Sequence, residues 1–180
     1  MKEKLTLRNV AIWFAALLAL VVFIVSFTVK FWYGTKAGGI MFNNIIWGSK
    51  YGAEWSEGKA YGASIPGVGP AVLPMIGIIL VLLSAIGAVV VSFVIKGEKL
   101  QKIIILVCAG LMLLGGVFAF ITRPTGAKML WKTVGFKEED AIAMGYNPRC
   151  PGGVVCGILA IVGAVSIAVP QFIKDIKFVK

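Results

Sequence analysis

The stretch GGVVCGILAIVGAVSIAVP, residues 152–170, carries no charge, and its small residues recur at helical spacing. Gly153, Gly157, Ala160, Ala164 and Ala168 follow steps of four, three, four and four. At about 100° per residue these positions share one helix face. Glycine and alanine let helix backbones approach closely, which matters in lipid, where association relies on packing rather than on expelling water. Gly153-x-x-x-Gly157 is a formal match to the close-packing motif. The stretch therefore predicts a membrane span with a packing seam along one side.

Three more blocks of this kind lie upstream. The 180 residues are 59% hydrophobic, with a mean hydropathy of +0.93, against about 45–50% apolar in a soluble domain. The excess is concentrated at residues 10–29, 71–95, 103–122 and 152–173, and none of these blocks contains Asp, Glu, Lys or Arg. Each is close to the roughly 20 apolar residues needed to cross about 30 Å of hydrocarbon. The first block follows a basic start, Lys2, Lys4 and Arg8. It is longer than the apolar core of a secretion signal and no small-x-small site follows closely, so it reads as an uncleaved span.

The seam recurs in the other blocks. Gly77, Ser84, Ala88 and Ser92 use the same offsets in the second span, with Val81 where the fourth has glycine. The third offers Gly115 and Ala119 beside Ala109 and Gly116, and the first Ala11, Ala15 and Ala19. Four small faces predict closely packed helices. A pore wall would mix in polar side chains facing a lumen. The expected fold is an all-α membrane protein, a single domain over residues 1–180. Its four transmembrane helices form an antiparallel bundle with two long outer loops, residues 30–70 and 123–151. Each half runs span, long loop, span, although the two loops do not align.

Charge predicts the threading. Residues 1–9, the link KGEKLQK at 96–102 and the tail after residue 173 hold nine basic residues in about two dozen positions. The two long loops also hold nine, spread over about 70 positions. Short basic segments stay in the cytoplasm, so both termini are expected there, with the protein in the cell membrane. The net charge of +10 flanks the spans instead of interleaving with aromatics. That pattern argues against nucleic acid and for topology anchoring plus attraction to anionic lipid.

The first loop opens with Phe31, Trp32 and Tyr33, and Trp131 lies in the second. Trp32, Tyr33 and Trp131 are expected as interface anchors, since such rings are apolar at one end and polar at the other. The first loop also holds Trp47, Tyr51, Trp55 and Tyr61. It is too aromatic for a disordered linker and is expected to fold against the membrane or the second loop. In the second loop FKEEDAIAM predicts a short helix with acids early, favourable for its dipole, and GYNPRCPGG a turn cluster that ends it. Arg149 in NPRC is placed to contact a ligand phosphate or carboxylate, or a lipid headgroup. Such a layout, with both tails on one side and a longer first outer loop, resembles that of the claudin-like four-span proteins. NNIIWGSKYGAEW has tryptophans and no cysteine pair, so the likeness is one of topology and implies no activity.

Most chemistry is excluded by residue type. There is no histidine, hence no Ser-His-Asp or Cys-His catalysis and no histidine metal or haem ligand. No phosphate-binding or dinucleotide fingerprint occurs. Proton relays and ion-coupled transport need ionisable groups at membrane depth, and these spans have none. Cys108, Cys150 and Cys156 form no Cys-x-x-Cys motif and read as free thiols. No catalytic, cofactor-binding or metal residue is expected. The composition points to a non-catalytic accessory or structural subunit of a larger membrane complex, with the lipid bilayer and other membrane subunits as partners. The alternatives are a small oligomeric transporter or channel for an uncharged or small solute, and a lipid-acting enzyme using Glu138, Glu139 and Asp140.

Overall fold

Apolar residues without interruption by Gly-Pro pairs or charge give four long helices. A computed structural model describes residues 6–28, 33–34, 71–122, 137–143, 146–147 and 151–173. In chain order these form α1 (Leu7–Thr28), β1 (Tyr33–Gly34), α2 (Val72–Val94), α3 (Glu98–Phe120), α4 (Glu138–Ala143), β2 (Tyr146–Asn147) and α5 (Pro151–Ala168). A 3-10 turn over Val169–Gln171 extends α5. The four long helices are each long and apolar enough to cross a membrane. At 1.5 Å per residue, the 22 residues of α1 span about 33 Å. The chain is a multi-pass membrane protein.

Prolines sit where a helix tolerates them. Pro151 opens α5, and Pro74 stands in the first turn of α2. Amide hydrogens there have no intrahelical acceptor, so a missing N–H costs nothing. Helix α3 starts at Glu98, five residues before the apolar block does. The difference has a simple cause. Glu98, Lys99, Gln101 and Lys102 are good helix formers, so the backbone ladder continues beyond the hydrocarbon-facing residues.

Side-chain contacts fix the helix directions. Trp13 near the start of α1 meets Phe93 near the end of α2, with ring centroids 6.3 Å apart. Gly77 faces Gly115, and Gly87 faces Cys108. Gly116 faces Gly157 and Ala160, and Met112 faces Gly163. The Cys156 thiol reaches the Val22 carbonyl at 3.6 Å. Rising numbers on one helix meet falling numbers on its neighbour in every pair, so neighbours are antiparallel. The helices form a ring in which α1 packs on α2, α2 on α3, α3 on α5, and α5 back on α1, while α2 and α5 barely meet across the diagonal.

The core is filled by Val22, Ile78, Ile105, Met112 and Ile167, which lose almost all solvent exposure. Outside, Leu17, Leu83, Ile86, Val107, Ile158 and Val165 are exposed. In water such a surface would be a liability; in a bilayer it faces acyl chains, which are as apolar as leucine. Polar groups inside the spans fold back on their own helices. Ser26, Ser92, Thr122 and Ser166 each donate to the carbonyl three residues earlier, at 2.6–2.7 Å. Ser84 is different: it is 3% exposed, and its Oγ has no hydrogen-bond partner among the described residues.

Candidate functional site: the packing seams and the loop end

The small residues of α5 lie inside the ring. Gly153, Gly157, Ala160 and Ala164 are buried, and Ala168 is half-buried. On α2, Gly77, Ser84 and Ala88 are buried and Ser92 is half-buried. Both seams therefore face helices of the same chain. On α5 the seam meets α3 and α1; on α2, its Gly77 end meets α3.

The tightest backbone-to-backbone approach is between α2 and α3. A Cβ placed on Gly77 would lie 2.7 Å from the Gly115 carbonyl oxygen; one on Gly115 would lie 2.6 Å from the Gly77 oxygen. The contact is reciprocal and backbone to backbone. Val81, at the position where α5 has glycine, fills the space beside Gly115: its Cγ2 would be 2.8 Å from a Cβ there. Glycine on one helix thus receives valine from the other, an exchange of bulk that a list of small residues on one helix does not disclose.

Contact between α3 and α5 is built differently. The Phe120 ring lies against Gly157, within 2.6–2.8 Å of where a Cβ would stand. Gly163 receives the Met112 sulfur at 2.9 Å by the same measure. Phe120 and Met112 were not among the sequence candidates, because only the register between helices reveals which large residue enters which glycine gap. Gly110, by contrast, has no neighbour within 4 Å of a built Cβ and is exposed.

One end of the bundle holds the α2–α3 turn. Gln101 reaches back from α3 and donates its Nε2 hydrogens to the carbonyl oxygens of Ser92 at 3.2 Å and Val91 at 3.5 Å. Both carbonyls lie in the last turn of α2, where intrahelical donors run out; that of Val91 also accepts the Ile95 N–H at 3.1 Å. Arg8 of α1 pairs with Glu98 at 3.3 Å. Lys102 places its ammonium 4.7 Å above the Phe172 ring, linking α3 to the end of α5.

The opposite end gathers the two long loops. Tyr33 pairs with Asn147 and Gly34 with Tyr146 in a short antiparallel bridge. The first loop is thereby joined to the second. FKEEDAIAM contains the helix Glu138–Ala143, and the Lys137 N–H donates to the Asp140 carboxylate at 3.3 Å, half of a capping box. Trp32, Trp131, Arg149 and Cys150 lie outside the described residues, as does IMFNNIIW. Tyr33 is brought to the bridge, beside the second loop. Cys108 and Cys156 are buried inside the bundle, and neither is in a disulfide. Among the described residues no group of three or more His, Cys, Asp or Glu is placed to hold a metal ion.

Comparison with known protein families, with curated proteins and with solved structures gives no match.

Proposed function

We propose that the chain is a non-catalytic membrane scaffold, an accessory or structural subunit whose loop end recognises another membrane protein. The observation that carries this reading is the bridge between Tyr33–Gly34 and Tyr146–Asn147. It pairs two residues of the first long connection with two of the second, beside a helix ring whose α2 and α5 seams already face neighbouring helices. Recognition resides most often in loops held by a rigid scaffold. The seams of α2 and α5 are consumed within the chain, so the aromatic loops are the surface left for a partner. The basic turn end faces the cytoplasm in this reading, by the distribution of Lys and Arg, and the loop end faces outward from the cell membrane.

A photo-crosslinking residue at Gly34 tests this in native membranes, beside the same residue at lipid-facing Leu83. A discrete heavier adduct from Gly34 and none from Leu83, together with a stoichiometric partner after mild-detergent extraction, is the expected result. A monodisperse monomer with no adduct from Gly34 overturns the proposal. Solute flux in liposomes holding this chain alone would replace it with an oligomeric transporter.

A further inference from the structure

The turn end holds a concentration of positive charge drawn from several elements. Lys96 and Lys99 flank the α2–α3 turn and are exposed, and Lys102 follows one turn into α3. Glu98 is the acid of that turn, and it is engaged by Arg8 from α1. The three lysines therefore stand without a carboxylate of their own segment to neutralise them. Lys102 is also held in place, its ammonium over the Phe172 ring. In the sequence, Lys2, Glu3 and Lys4 precede α1, and Lys174, Asp175, Lys177 and Lys180 follow residue 173.

The apolar surroundings set the depth of this charge. Val94, Leu100, Ile103 and Phe172 are exposed directly beside the lysines, Phe172 to 72%. A rim of ammonium groups on an exposed apolar collar matches the boundary where phosphates meet acyl chains. Nucleic acid or an acidic soluble protein would fit the charge and leave the collar in water.

We propose that the turn end selectively binds the phosphate headgroups of anionic phospholipids, through Lys96, Lys99 and Lys102, with acyl chains on the Val94–Leu100–Ile103–Phe172 collar. The site is independent of the loop end, so its success or failure says nothing about a protein partner there. Each lysine near an anionic surface favours association roughly fivefold at physiological ionic strength.

The test uses the full chain in nanodiscs of equal phosphatidylglycerol and phosphatidylcholine. Native mass spectrometry of the released protein counts the lipids retained. The wild type should retain phosphatidylglycerol over phosphatidylcholine, and K96Q/K99Q, which alters two exposed side chains, should reduce that preference about 25-fold. K128Q/K132Q/K137Q, in the loop-end segment, should keep it, and raised salt should weaken it in the wild type. Circular dichroism and size-exclusion profiles matching the wild type show that K96Q/K99Q is folded. If that variant does not fold, K99Q alone serves, with an expected loss of about fivefold. Equal retention of both lipids by the wild type, or an unchanged preference in the lysine variant, overturns the proposal. So does competition by free glycerol phosphate at concentrations matching the lipid, which would mark a site for soluble phosphate.

Discussion

Replacing Gly115 by alanine perturbs the tightest backbone-to-backbone contact in the bundle. The added methyl would stand 2.6 Å from the Gly77 carbonyl oxygen, 2.8 Å from Val81 Cγ2 and 3.2 Å from the Val81 nitrogen. Two of these atoms are backbone and cannot rotate away. Bringing 2.6 Å out to an ordinary 3.4 Å contact requires α2 and α3 to separate by about 0.8 Å at this level. Overpacking of this kind costs about 1–3 kcal/mol. Alanine also favours the helix over glycine by up to about 1 kcal/mol, so the net loss is about 1–2 kcal/mol. In G157A the three atoms nearest the new methyl all belong to the Phe120 ring, and Phe120 is 39% exposed. That ring can swing toward lipid, so the loss is smaller. G110A meets nothing within 4 Å and should be neutral or slightly stabilising. Unfolding in rising mole fractions of sodium dodecyl sulfate, followed by circular dichroism in a mild detergent, ranks the three. The expected order of stability is G110A, then G157A, then G115A. The reasoning is refuted if G115A unfolds at the same detergent fraction as G110A.

Two further outcomes follow from the interior. S84A removes a buried hydroxyl that has no partner among the described residues, so the same titration should show stability unchanged or raised by up to about 1 kcal/mol; a loss larger than that would mean the hydroxyl is used. In a C150S background, maleimide should leave Cys108 and Cys156 unlabelled in the folded state and label both after denaturation, since Cys156 is fully buried and Cys108 nearly so. Rapid labelling of Cys156 in the folded protein would contradict its place between α1 and α5.

Four spans were legible because each charge-free block is long and flanked by basic residues or a proline-glycine cluster. The seams of α2 and α5 were also readable as helical spacing, and the structure places most of those residues inside. What single helices could not disclose was partnership. Gly77 and Gly115 are both small-residue positions in sequence, but only the antiparallel register sets one carbonyl against the other. Gln101 looked like part of a charged link, and its role at the end of α2 depends on a turn that reverses the chain over it. Helix α3 begins five residues before its apolar block because hydropathy marks the edge of lipid, and hydrogen bonding marks the edge of a helix. The small helix of FKEEDAIAM followed from its early acids. The bridge of Tyr33 with Asn147 joins residues far apart in the chain, for which no local pattern exists.

Closure of the ring between α1 and α5 also dictates the order in which the protein can be built. The hairpin of α2 and α3 is joined by a three-residue turn and can zip as soon as both helices enter the bilayer. Helix α1 is made first, but the neighbour that covers Ala15 and holds the Val22 carbonyl is made last of the four. At typical translation speeds that wait is on the order of ten seconds. Throughout it, a face of alanines shaped to accept a close helix stands open to any other nascent span in the same membrane. Insertion is thus the period when this chain is most vulnerable to mispairing, and a machinery that shields α1 until α5 arrives would act on its yield without touching the stability of the finished bundle.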